Sequence, residues 1–133
     1  VFPVGDHLQE VEKLYEEHAY SLMEVCDYRI DSAGLQWLHM LQAMQDYGEL
    51  IDFDLKGVRL ILTVFYEVDG SIMHLGFSRQ ATSRNVREEL LRAFLLQFAR
   101  NYTLPLPEAA ERPFFHEGPA NFPLRPIRKG EGN

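Results

Sequence analysis

The sequence is poor in cysteine and in long apolar runs. A single cysteine, Cys26, occurs among 133 residues, so no internal disulfide can form, and this usage fits a reducing, cytoplasmic location. No apolar run approaches the roughly 20 residues that a membrane-spanning helix needs. The first residues also lack the charged segment and apolar stretch of a signal peptide. These absences predict a soluble intracellular protein. Its 133 residues are enough for one hydrophobic core.

Basic residues are fewer than acidic ones. Thirteen Lys and Arg residues face 20 Asp and Glu residues, which gives a formal net charge of −7. Such an acidic protein is not expected to bind nucleic acids or anionic membranes through a general electrostatic attraction. The charge is most simply explained by solubility.

Motifs for cofactors, metal ions and nucleophilic catalysis are missing as well. The glycines at 48, 57, 70 and 76 fall at turns and in one strand, and the sequence contains no nucleotide-binding glycine loop. His39 stands alone on a mostly apolar helix, which is more typical of a core or boundary residue than of a metal ligand. Cys26 has no obvious basic partner by sequence, and most single cysteines are unreactive. The sequence therefore predicts no cofactor and no metal, and it favours a protein that is not an enzyme without deciding the question.

The middle of the chain has the alternating pattern of β-strands. Three runs, at about 50–55, 58–67 and 71–78, alternate apolar with polar residues, and short turns at Lys56-Gly57 and Asp69-Gly70 join them. If both turns are two-residue hairpin loops, they fix the register of a three-stranded antiparallel meander. The predicted pairs are Leu55–Val58, Phe53–Leu60, Ile51–Leu62, Tyr66–Met73, Val64–Leu75 and Leu62–Phe77.

Helices are predicted on both sides of these strands. Two N-terminal helices precede the meander, and the second, from Leu35 to Tyr47, is apolar around most of its circumference. Residues 22–30 fit either a helix or a short strand. A C-terminal helix over about 83–101 carries a wide apolar stripe that could cover the apolar face of the sheet. Together these elements predict an α+β fold in a single domain over residues 1–102.

Residues 103–133 have a different character. Six of the seven prolines lie here, yet the segment also contains Phe114, Phe115 and Phe122. Disordered tails are usually poor in aromatic residues. The sequence therefore predicts an extended, proline-rich tail that packs on the domain or on a partner.

Two groups of residues could bind ligands of opposite character. Arg79, Ser83, Arg84 and Arg87 lie at a strand-to-helix junction, where backbone N–H groups and arginines could form an anion site; ordinary capping by the hydroxyls is the simpler explanation. In the tail, Pro123, Arg125, Pro126 and Arg128 fit the P-x-x-P-x-R pattern of polyproline ligands. An intramolecular strap is the more common role for such a segment.

The second face of the predicted sheet carries a small apolar patch. Ile61, Phe65 and Ile72 lie on it beside His74, and the outer strands have few residues that discourage edge pairing. A second subunit could cover this patch or pair with the third strand, so we expect a homodimer.

Taken together, these features favour a non-enzymatic protein–protein interaction or regulatory module. The alternative is a small-ligand-binding domain or small enzyme with a pocket between sheet and helices. Its candidate lining residues are Trp37, Tyr47, Phe65, Tyr66 and Phe77, with His39 or His74.

Overall fold

A computed structural model describes residues 2–3, 8–17, 20–22, 30–106, 110 and 112–124, with side chains for 12–16, 21–22, 34–106, 110 and 112–124. Three helices and five strands have their bounds in these ranges. In chain order they are β1 (Phe2–Pro3), α1 (Leu8–Glu17), β2 (Tyr20–Ser21), α2 (Ile30–Leu50), β3 (Arg59–Tyr66), β4 (Ile72–Arg79), α3 (Glu88–Asn101) and β5 (Phe114–Asn121).

The strands form one mixed sheet in the order β1-β4-β3-β5-β2. β3 lies at its centre and pairs antiparallel with both β4 and β5. The two-residue strands β1 and β2 are added in parallel at the outer edges, along β4 and β5 respectively. An α+β fold with a three-stranded antiparallel sheet is therefore confirmed, although its third strand is not the predicted one.

The strand predicted over residues 50–55 is wrong. α2 continues to Leu50, a turn follows at Ile51 and Asp52, and residues 53–55 have no regular structure. The alternation in this segment has another cause, since Phe53 stacks on Phe94 at 4.5 Å and Leu55 is buried, while Ile51 faces solvent. The predicted pairs of this strand with β3 are therefore also wrong.

The tail supplies the missing strand. β5 pairs with β3 so that Leu60 lies opposite Ala120 and Leu62 opposite Gly118. The buried residues after Tyr102 include Leu104, Phe114 and Phe122. The described part of this segment, residues 103–106, 110 and 112–124, thus contributes to the sheet and core.

The register of β3 with β4 is partly confirmed. Leu62 pairs with Phe77 and Val64 with Leu75, as predicted. The predicted pair of Tyr66 with Met73 is wrong, because Tyr66 lies opposite Ile72 and the register shifts between Phe65 and Tyr66.

The loop between β3 and β4 explains this shift. The Glu67 N–H donates to the Ser71 carbonyl at 2.8 Å, so the loop has three residues, and Gly70 takes the positive φ of 91° that such loops require. Next to the loop, the pairing of β3 with β4 is therefore shifted by one residue from the predicted register. Beyond Met73, which is the extra residue of a β-bulge, the pairing returns to the predicted register. Met73 is consequently 40% exposed instead of lying on the apolar face.

Helices lie on both faces of the sheet. The buried side chains of α2 and α3, including Met40, Met44, Leu91 and Phe94, share one core with Leu62 and the other apolar side chains on its face of β3. On the opposite face, the Tyr15 ring of α1 makes edge contacts with Phe65 and Phe115, each at 5.4 Å between centroids. The predicted C-terminal helix begins at Glu88, about five residues later than expected.

Candidate functional site

The predicted interface patch is divided between the two faces of the sheet. Phe65 is fully buried beneath Tyr15, and Ile61 and His74 are partly buried on the same face. The bulge brings Ile72 opposite Tyr66, and its side chain packs against the core on the other face. The structure therefore does not bring these four residues together as one exposed surface.

A polar network holds α1 over this face. The Tyr15 hydroxyl and the buried Thr63 hydroxyl both donate to Oε2 of Glu117, at 2.9 and 3.1 Å. Burial, and next the hydrogen bond to the Glu117 carboxylate, raise the pKa of Tyr15 above its usual value. Tyr15 thus remains a neutral donor at physiological pH.

The outer edges of the antiparallel strands are also largely occupied. β1 and β2 cover parts of β4 and β5, and Thr103 bridges Ser71 next to the β3–β4 loop. On β5, the Pro119 carbonyl accepts a hydrogen bond from Trp37 Nε1 at 3.1 Å, and proline has no N–H to offer an added strand. These contacts leave little of either edge open for pairing with another chain.

Three residues of the predicted anion site, Ser83, Arg84 and Arg87, lie in the irregular segment before α3, and Arg79 is the last residue of β4. Their polar groups contact other residues. Arg84 pairs with Asp54 at 3.7 Å, and Arg87 pairs with Glu89 at 2.9 Å. Arg79 donates to Asn85, and the Ser83 hydroxyl accepts the Arg59 N–H. Glu88 and Glu89 occupy the first turn of α3, where a bound anion would meet their charge. The anion site stays a prediction.

Of the predicted tail motif, only Pro123 lies within the described residues. It follows Phe122 through a cis peptide bond. The next residue, Leu124, donates its N–H to Oε1 of Gln45 on α2 at 2.7 Å. Arg125, Pro126 and Arg128 lie outside the described residues, so the polyproline-ligand hypothesis stays a prediction.

An exposed apolar surface lies where α2 ends. Leu50 is 79% exposed, Ile51 41% and Leu90 of α3 50%. Tyr47 and Phe53 are half-buried beside them and join the surface to the core. We call these five residues the helix-end surface; none of them was predicted from the sequence to bind a partner through an exposed face.

Packing between α2 and α3 brings these residues together. The Tyr47 and Phe94 rings lie 5.8 Å apart between centroids. His39, which is earlier on α2, shares a hydrogen bond with the hydroxyl of Tyr102, which follows α3. The helices therefore run antiparallel, and the end of α2 lies beside the start of α3. Leu90 is one turn before Phe94, whose ring Phe53 covers.

An open cleft of about 400 Å³ adjoins this surface. Phe53, Leu55 and Phe122 supply apolar contacts, and Glu49, Asp52, Asp54 and Lys56 supply charge. Asp52 has a φ of 57°, in the left-handed region that Asp tolerates better than most residues. The other residues that line the cleft are Gln45, Gly48 and Pro123.

Several residues predicted to line a pocket between sheet and helices are packed in the interior instead. Phe65, Tyr66 and Phe77 are essentially inaccessible to solvent, and Trp37 packs on Gly118. Among the described side chains, no three His, Cys, Asp or Glu groups gather as a metal site would require. None of the described helices is long and apolar enough to cross a membrane.

Comparison with known protein families, curated proteins and solved structures finds no match to this chain. Any functional conclusion therefore depends on the geometry described above.

Proposed function

We propose that this protein is a non-enzymatic interaction module that binds another protein through the helix-end surface. The observation that carries the proposal is the exposure of Leu50, Ile51 and Leu90 where the end of α2 packs against α3. Leu35, which is also exposed, lies near the other end of α2. Exposed large apolar side chains that gather in one place are typical of protein-binding surfaces, whereas isolated ones are ordinary.

The remaining surfaces support the same assignment by their contacts. α1 covers the outer face of the sheet through Tyr15, and short strands or side chains occupy much of both edges. The helix-end surface has no such cover over Leu50, the most exposed of the large apolar residues. A cytoplasmic location remains part of this proposal and rests on the single cysteine.

Affinity capture from extracts of the source cells tests the proposal. Immobilised wild-type protein should enrich specific proteins that a Leu50→Ser/Ile51→Ser double variant does not enrich. Leu96→Ser is the matched control, since Leu96 is 39% exposed on a different side of α3. If the double variant captures the same proteins as the wild type and the control, the helix-end surface is not the binding surface.

A homodimer remains a separate prediction from the sequence. A second copy could approach β4 only along a short stretch, between the Thr103 bridge to Ser71 and the residues paired with β1. Met73 lies in this stretch and is 40% exposed. Sedimentation at micromolar concentration should yield a dimer that Met73→Lys weakens. A monomer would remove the homodimer and leave the binding of other proteins untouched.

The second candidate function, small-ligand binding, is favoured by the volume of the cleft, about 400 Å³. This volume falls at the lower end of the range for ligand pockets. A fragment screen by NMR should then find compounds that shift the backbone amides of Gln45 and Phe53. Absence of any such compound would count against this alternative only.

A further inference from the structure

Carboxylates lie on the α2 side of the helix-end surface. Asp46 precedes Leu50 by one helical turn, Glu49 lines the adjoining cleft, and Asp52 follows directly on the next turn. All three side chains are exposed. Among the described residues that line the cleft, Lys56 is the basic one. The Arg84 and Arg87 guanidinium groups pair with Asp54 and Glu89. The apolar residues thus have a negatively charged border on the α2 side.

The direction of α2 strengthens this negative potential. The partial negative charge of a helix lies at its C-terminal end, and the last turn of α2 contains no basic residue. Carboxylates near a helix C-terminus are unfavourable for the isolated chain. A positively charged partner placed here would be attracted by both the carboxylates and the helix end.

We infer that the helix-end surface receives a basic amphipathic segment of another protein, in which apolar side chains are flanked by Lys or Arg. This inference rests on the proposed function and specifies its partner. The apolar side chains contact Leu50, Ile51 and Leu90. A flanking Lys or Arg enters the cleft, where its aliphatic stem lies against Phe53 and its charged end meets Glu49.

Charge complementarity selects this occupant over a second copy of the chain. In a two-fold dimer through the same surface, Asp46, Glu49 and Asp52 of both copies would approach one another. Like charges brought together at an interface oppose binding. An acidic segment would meet the same repulsion, and a purely polar cation would leave the exposed apolar side chains in water.

A synthetic Leu/Lys amphipathic helix of about 18 residues is a suitable probe, with a Leu/Glu helix of the same pattern as its counterpart. Fluorescence anisotropy should detect binding of the Leu/Lys peptide, and this binding should weaken as salt is added. The Leu/Glu peptide should not bind. Equal binding of both peptides would overturn the inference.

Charge-reversal variants locate the binding site. Asp46→Lys/Glu49→Lys should weaken binding of the Leu/Lys peptide at least about tenfold. The control is Glu12→Lys/Glu16→Lys, which changes the net charge by the same amount on exposed positions of α1 and should weaken binding less than about twofold. Equal losses in the two variants would mean that the peptide senses only net charge, and the inference would fail. Thermal melting checks that both variants fold.

The apolar contribution is tested separately. Leu50→Ser/Ile51→Ser should also weaken peptide binding while leaving its salt dependence in place, since no charge changes. If this variant loses proteins in the capture experiment but the Leu/Lys peptide binds neither it nor the wild type, the protein-binding proposal stands and the basic-segment inference is wrong. If wild type and variant differ in neither experiment, both fail.

Discussion

At the scale of single residues, Gly118 allows Trp37 of α2 to approach the sheet closely. A Cβ atom at this position would lie 3.0 Å from Cε2 and Nε1 of Trp37. Trp37 is in turn fixed by the bond from its ring nitrogen to the Pro119 carbonyl. The indole therefore has little freedom to move away from an added methyl group.

Two alanine substitutions test this packing. Gly118→Ala should lower the free energy of unfolding by about 1–3 kcal/mol, because overpacking forces Trp37 or the strand to shift. Gly34→Ala is the control: nothing lies within 4 Å of its added Cβ, so it should stabilise α2 by about 0.5–1 kcal/mol. Urea denaturation measures both. Equal effects of the two substitutions would contradict the described packing of Trp37.

His116 gives the stability a defined pH dependence. Burial, which outweighs the opposing charge of Glu117, holds the pKa of His116 below its usual value, and Trp37 lies 4.7 Å from its ring. The unfolded chain therefore binds a proton at this position more readily than the folded one. The contribution of neutral His116 to stability is present above the unfolded pKa of about 6.5 and is lost as pH falls through it toward the folded pKa.

The comparison is between wild type and His116→Gln. Urea denaturation at about pH 7.5 and about pH 5.5 should reveal a larger loss of stability in the wild type than in the variant. Identical losses would mean that His116 titrates normally in the folded state.

Residue pairs in β3 and β4 could be predicted because alternation and a turn constrain them together. Leu62–Phe77 and Val64–Leu75 follow from that pattern. Met73 could not be placed, because two-residue and three-residue loops share the Asp-Gly signal. Beyond the bulge the strands pair in the expected register, so only the residue pairs next to the loop differ from the prediction.

At the scale of elements, the largest error concerns β5. Its sequence, Phe114–Asn121, contains a glycine and a proline and lacks regular alternation, which is typical of a loop rather than a strand. Residues 50–55 show the reverse case, with a strand-like alternation and no strand. Whether a segment forms a strand thus depends on whether a partner strand is available. β5 has one, because it pairs with β3 along its full length.

Truncation after Tyr102 tests the importance of β5. The shortened chain loses the strand next to the sheet centre and the buried Leu104, Phe114 and Phe122. We expect it to lose its cooperative thermal transition and to bind an apolar fluorescent dye. A truncated chain that melts cooperatively near the wild-type temperature would mean that residues 103–133 are dispensable for the fold.

At the scale of the whole molecule, the sequence could indicate which surfaces are apolar but not which of them the chain itself covers. The outer face was a reasonable candidate until α1 placed Tyr15 against Phe65. The sequence predicts Leu50 and Ile51, by contrast, to lie in a strand, whereas α2 in fact continues to Leu50 and leaves both side chains exposed. Such coverage arises between elements distant in sequence and has no local signal.

The same helix end explains why the candidate site combines apolar and acidic groups. Polar positions at the end of α2 supply the carboxylates, and Ile51 on the following turn is exposed to solvent. Neither group would suggest a docking surface alone. Together they predict binding that depends on both apolar contact and salt.

The most direct test is to map where a basic amphipathic peptide binds. Backbone amide NMR shifts of the full chain should be recorded as the Leu/Lys peptide is added. The largest changes should fall at the end of α2 and the start of α3, around Leu50, Ile51 and Leu90. Changes concentrated instead on the outer sheet face or on α1, with the helix ends unaffected, would contradict it.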